Sequence, residues 1–121
     1  MELNHLHVNV PDVKAAQLFY EQYFNFKLLF LDRDGVFLGD GKGFLLALDP
    51  LKPDEPPPEF PAWFHFGFCV SGPEAVKALF QRMKSDGVKF ARELREFGVD
   101  AVNFYCWAPG GYKLEVSWNK Q

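Results

Sequence analysis

The sequence predicts an α+β fold of two βαβββ modules, and three observations predict it. A run alternating apolar and polar residues opens each half of the chain, an amphipathic helical spacing follows each run, and a proline-rich stretch separates the halves. With 121 residues, 48% hydrophobic and 17% aromatic, the chain has enough apolar material for one packed domain and too little length for two ordinary ones. Residues 1–121 are therefore expected to form one domain, with modules at 1–50 and 61–121 joined by a linker at 51–60.

The first strand is signalled by Leu6, Val8 and Val10 alternating with His5, His7 and Asn9. Strand side chains point to opposite faces in turn, so one set packs and the other turns away. Asp12 is the expected N-cap of a helix whose Ala16, Phe19, Tyr20 and Tyr23 recur at i, i+3, i+4 and i+7. Strand-like runs follow at 26–31, 35–38 and 44–48. Six of the nine prolines then fall between residues 50 and 61, which favours an extended linker without ladder hydrogen bonds.

The second half repeats this order. Phe64, Phe66, Phe68 and Val70 alternate with Trp63, His65, Gly67 and Cys69, and Pro73 with Glu74 marks a helix start. Val76, Leu79, Phe80 and Met83 repeat the helical spacing, and Gly87 is the expected stop. Runs at 88–92, 101–107 and 112–118 complete the module. One helix on one face of each sheet leaves the other face open, and the two mixed sheets are expected to curve into a cup around a central site.

The halves also align residue on residue, with His5 matching His65, Val10 matching Val70 and Ala47 matching Glu115. If Leu6, Val8 and Val10 pack under the first helix, His5 and His7 turn into the cup, and the same parity sends His65 there. Glu115, between Leu114 and Val116, points the same way, and a carboxylate in such a place is costly unless paired or bound to a metal. His5, His65 and Glu115 thus form a candidate 2-His-1-carboxylate set, which suits Fe2+ or Mn2+ and leaves positions open for substrate oxygens; Ni2+ and Zn2+ are further candidates.

These residues resemble the vicinal oxygen chelate superfamily of glyoxalases, extradiol dioxygenases, fosfomycin-modifying transferases and bleomycin-binding proteins. The resemblance is carried by Leu3-Asn4-His5-Leu6-His7-Val8-Asn9-Val10-Pro11-Asp12, by Leu18-Phe19-Tyr20 and by His65-Phe66-Gly67-Phe68-Cys69-Val70. The closing stretch from Asn103 to Glu115 resembles the family's final hairpin, with Ala108-Pro109-Gly110-Gly111 where Asp-Pro-Asp-Gly is usual. The resemblance implies a glyoxalase-like fold and metal ligands at His5, His65 and Glu115. Ala47 stands at the fourth ligand position, where glyoxalase I keeps a carboxylate for proton abstraction. The resemblance also implies that Tyr105 hydrogen-bonds substrate oxygen, and His7 is the candidate proton carrier.

The function expected is that of a divalent-metal-dependent, dioxygenase-like enzyme acting on a small oxygen-chelating substrate. Alternatives are a thiol transferase, a glyoxalase-type lyase or isomerase, or a metal-independent module that sequesters an aromatic antibiotic. The transferases' serine-rich potassium loop is replaced here by Arg95-Glu96-Phe97-Gly98-Val99-Asp100, and with six residues given after Glu115 a basic tail like theirs is not expected. Trp63 shares the parity of His65 and is a candidate floor for the cavity, whereas Trp118 shares the parity of Leu114 and Val116. Lys42, Lys113 and the stretch at 92–96 read as solvated charge.

Composition bounds the partners. Lys+Arg at 13 against Asp+Glu at 16 gives a net charge of −3, which offers no footprint for nucleic acid. No apolar run approaches the ~18 residues of a membrane helix, and the first residues lack the pattern of a signal peptide, so a cytoplasmic protein without membrane partners is expected. Cys69 and Cys106 lack metal or disulfide spacing and read as reduced thiols. A homodimer is expected, since small modules commonly complete their sites across a two-fold axis.

Overall fold

Alternation becomes strand and helical spacing becomes helix in both halves of the computed structural model, which describes residues 1–121. The chain divides into two units, Met1–Glu59 and Phe60–Gln121. The first unit runs β1 (His5–Val10), α1 (Val13–Phe24), β2 (Lys27–Asp32), β3 (Gly35–Gly39) and β4 (Leu45–Pro50). The second runs β5 (His65–Cys69), α2 (Pro73–Ser85), β6 (Phe90–Phe97), β7 (Ala101–Trp107) and β8 (Lys113–Asn119). Each unit holds one four-stranded mixed sheet, ordered β1-β4-β3-β2 and β5-β8-β7-β6, so both are α+β modules with the same βαβββ order. No helix is long and apolar enough to cross a membrane.

The helices start and stop where local chemistry dictates. Asp12 is extended and its Oδ1 accepts the Ala15 N–H at 3.0 Å, satisfying one of the otherwise unpaired amides of the first turn. The helix ends at Asn25, whose φ of 58° is left-handed, a conformation that Asn adopts more readily than other side chains except Gly. In α2 the first turn carries Pro73 and Glu74, and the stop comes at Gly87 with φ 85°. There the Val88 N–H reaches back to the Met83 carbonyl at 3.0 Å, closing the last turn.

Each helix covers one face of its own sheet. In the first unit α1 packs on β3 and β4, where Val10, Ala16, Tyr20, Leu38 and Leu48 have no exposed surface. In the second unit α2 packs on β6, β7 and β8, with Val76, Met83, Phe104, Leu114 and Val116 equally inaccessible. Burying each aliphatic side chain of this size contributes ~1.5–3 kcal/mol. The complementary parity, carrying the candidate site residues, is thereby sent to the sheet face away from the helix.

Two strands run further than their hydrophobic patterns indicate. β4 continues through Asp49 and Pro50 because these residues pair with Asn9 and Val10 of β1. Leu51 N–H then donates to the Val10 carbonyl at 3.2 Å, making the bond that Pro50 itself cannot supply. β6 continues past Arg92 to Phe97, pairing with β7 through register shifts on either side of Arg92. Such bulges break the alternation on which strand recognition depends.

Candidate functional site

In the second unit, β5 and β8 run parallel with His65 opposite Lys113 and Gly67 opposite Glu115. This register puts the imidazole and carboxylate on one face, with Nε2 of His65 and Oε1 of Glu115 3.8 Å apart. Each group is anchored by its other polar atom. Nδ1–H of His65 donates to the Trp63 carbonyl at 2.9 Å, which turns the Nε2 lone pair outward. Oε2 of Glu115 accepts from Asn103 Nδ2 at 2.7 Å, which leaves Oε1 facing the imidazole.

This pair fits a divalent ion. Ligand atoms bound at ~2.0–2.2 Å to one ion lie roughly 3–3.4 Å apart, so 3.8 Å requires only a small closing movement. A ligating His commonly donates its second ring N–H to a carbonyl or carboxylate, which sets the tautomer and orientation. No group of three or more His, Cys, Asp or Glu side chains that could hold a metal ion is found. The structure therefore brings together two of the three expected ligands, His65 and Glu115.

His5, the third, lies on β1 of the first unit, where its Nδ1 is 2.8 Å from Asn4 Oδ1. As in His65, the engaged atom is Nδ1, so Nε2 keeps its lone pair. On β4 the register sets Ala47 opposite His7, as Glu115 stands opposite Gly67 in the other unit. Ala47 thus occupies the position of Glu115 with no donor atom.

His7 has a partner that alternation alone did not reveal. Its Nε2 lies 2.5 Å from Asp49 Oδ2, so the carboxylate fixes the ring and leaves Nδ1 as the free nitrogen. Asp49 sits two residues beyond Ala47 and shares its parity, a signal available in the sequence once β4 is extended. Gly35 makes room for it: a Cβ there would collide with Asp49 Oδ1 and approach the Leu48 carbonyl oxygen at 2.8 Å. The pair borders a cleft of about 610 Å³ within this unit, lined also by Asn9, Asp32, Arg33 and Lys52.

Tyr105 faces Glu115 across the β7–β8 ladder, its ring edge-on to His65 with centroids 5.1 Å apart. Burial first, and then the Glu115 carboxylate, push the phenol above its ordinary value of 10.0 against the opposing charge of Arg92. Tyr105 therefore keeps its proton at neutral pH and is a hydrogen-bond donor.

Whereas Glu93, Arg95 and Glu96 are exposed, Arg92 departs from the reading of residues 92–96 as solvated charge. Its Nη2 donates to Asn103 Oδ1 at 2.6 Å, its guanidinium carbon lies 5.0 Å from the Tyr105 ring centre, and Nη1 is buried without a hydrogen-bond partner. Arg92 and Asn103, with Asp49, are the functional candidates that the sequence pattern alone did not single out. Asn103 shares the parity of Tyr105, whereas nothing local to Arg92 shows that it leans back over β7.

Lys113 is no free surface charge either. Its ammonium lies 4.5 Å from the Trp63 ring and 5.5 Å from that of Trp107 and donates to the Ala62 carbonyl. Trp63 itself is 71% exposed. Cys69 and Cys106 are free thiols, and burial pushes Cys106 up to about 12.

The chain matches the Glyoxalase/Bleomycin resistance protein/Dioxygenase superfamily over residues 2–116. It is similar to the structure of a possible glyoxalase from Bacillus cereus, at 32% identity and a TM-score of 0.80, covering 96% of this chain and 97% of that one. Lactoylglutathione lyase from Agrobacterium tumefaciens shares the fold at 21% identity and a TM-score of 0.71, over 97% of this chain and 92% of that one. The fosfomycin resistance protein FosX from Listeria monocytogenes shares it at 16% identity and a TM-score of 0.80, over 99% and 94% respectively. No curated protein matches the sequence. The match over nearly the whole chain, together with the βαβββ order of both units, shows that the protein belongs to the glyoxalase/bleomycin resistance/dioxygenase superfamily.

Proposed function

We propose that the protein is a divalent-metal-dependent enzyme in which His65 and Glu115, with His5 as third ligand, hold Fe2+ or Mn2+ and a small substrate bearing adjacent oxygens, with dioxygenase-like chemistry. The observation that carries this reading is the Nε2 of His65 facing Oε1 of Glu115 at 3.8 Å, with His65 anchored through Nδ1 and Glu115 through Oε2. When bound, the metal supplies Lewis acidity and open coordination positions for substrate oxygen.

The chain's own residues supply orientation and protons. Tyr105, protonated and beside Glu115, donates a hydrogen bond to a substrate oxygen and so favours negative charge developing there. His7 carries protons through Nδ1 while Asp49 holds the ring through Nε2. The aromatic ring of Tyr105 beside His65 favours a flat substrate, which makes catechols the first class to test.

Oxygen uptake on a panel of catechols, before and after chelation, tests the proposal. Turnover that disappears with the metal and returns on adding Fe2+ is expected. Protein that still binds the aromatic compounds after chelation and shows no metal-dependent turnover would favour a sequestering module instead.

A further inference from the structure

We infer that Arg92 and Asn103 form a relay that positions the carboxylate of Glu115; the inference rests on the reading that His65 and Glu115 hold a divalent ion. The relay has two links, Arg92 Nη2 to Asn103 Oδ1 at 2.6 Å and Asn103 Nδ2 to Glu115 Oε2 at 2.7 Å. A guanidinium can only donate, so it selects the oxygen of the Asn103 amide and turns the NH2 group the other way. That is the end a carboxylate can accept from. Without Arg92 the amide is free to flip, and its oxygen would then meet Oε2 acceptor to acceptor.

Asn103 thereby holds Oε2 of Glu115, the Tyr105 hydroxyl is a second hydrogen-bond partner of the carboxylate, and Oε1 lies opposite His65 Nε2. Arg92 is itself immobilised between rings, 5.0 Å from the centre of Tyr105 and 5.9 Å from that of Phe97. Its Nη1 is buried with no hydrogen-bond partner, an arrangement that calls for an explanation beyond stability. An apolar side chain would fill the same space without burying an unpaired donor. The link to Asn103 requires a donor at this position, and the guanidinium also borders the Tyr105 hydroxyl, which makes Arg92 and Asn103 positioning residues for the proposed metal pair.

The test is Mn2+ affinity, measured by calorimetry on the full chain for wild type, Glu115→Ala, Arg92→Met, Arg92→Lys, Asn103→Leu and the Arg92→Met/Asn103→Leu double variant. Arg92→Met and Asn103→Leu should each weaken Mn2+ binding ~10–100-fold in folded protein, as loss of an outer-shell partner does. The double variant should lose no more than the weaker-binding single, since both break one chain of bonds. Arg92→Lys should recover most of the loss, because one N–H donor suffices to orient the amide. Wild-type affinity in Arg92→Met or in Asn103→Leu, or losses that multiply in the double variant, would overturn the relay. Loss of binding in Glu115→Ala alone would overturn the relay and leave the metal reading standing. Equal binding by wild type and Glu115→Ala, or none by wild type, would overturn both.

Discussion

Gly67 stands directly across the β5–β8 ladder from Glu115, and a Cβ on it would come within 2.9 Å of the Glu115 carbonyl oxygen and 3.1 Å of Glu115 Cβ. The absent side chain is therefore part of the site, since it lets the carboxylate lie against β5 beside His65. Gly67→Ala should destabilise the protein by ~1–3 kcal/mol, the usual cost of overpacking, and weaken Mn2+ binding. Gly72→Ala meets nothing within 4 Å and serves as the control. Denaturant melts of the two variants check the contrast.

Tyr105→Phe removes a hydroxyl and keeps the ring that meets His65 at 5.1 Å. Metal content should be unchanged while turnover falls ~10²-fold or more, the range for losing a donor to developing negative charge. Equal loss of metal and turnover would show a structural role instead.

Asp49→Asn replaces the carboxylate 2.5 Å from His7 Nε2. An amide can present its NH2 to the ring and favour the other tautomer, so proton transfer through His7 should slow ~10–100-fold. The metal content should stay at the wild-type level. A solvent isotope effect on turnover that grows in the variant would mark the proton step.

Cys106 gives a prediction in pH. Burial raises its thiol from 9.0 to about 12, so the folded state keeps the proton that the unfolded chain releases. Its contribution is complete below pH 9 and is lost as pH rises toward 12, at about 1.4 kcal/mol per pH unit within that window. Cys106→Val should lack this slope in paired melts across the alkaline range. In native protein at neutral pH, iodoacetamide should modify the exposed Cys69 and spare Cys106.

The strands and helices were legible because their signals are local. Leu6, Val8 and Val10 against His5, His7 and Asn9, or Val76, Phe80 and Met83 along one stripe, decide their element without reference to distant chain. His65 and Glu115 could be placed on one face by parity, and the structure brings them together. Arg92 could not be placed that way, and for Asn103 and Asp49 parity gave the face without the partner. Their partners are set by cross-strand register, by the bulges flanking Arg92 and by a strand that passes through Pro50. None of these leaves a periodic trace in the sequence.

Metal analysis of protein purified without chelators or an affinity tag, repeated on His5→Ala, His65→Ala and Glu115→Ala, decides whether these three side chains hold one ion. About one equivalent of iron or manganese is expected in wild type and its loss in each variant, since a bound ion depends on every ligand. Equal metal content in all four proteins, or none in wild type after reconstitution with Fe2+ or Mn2+, would contradict that expectation.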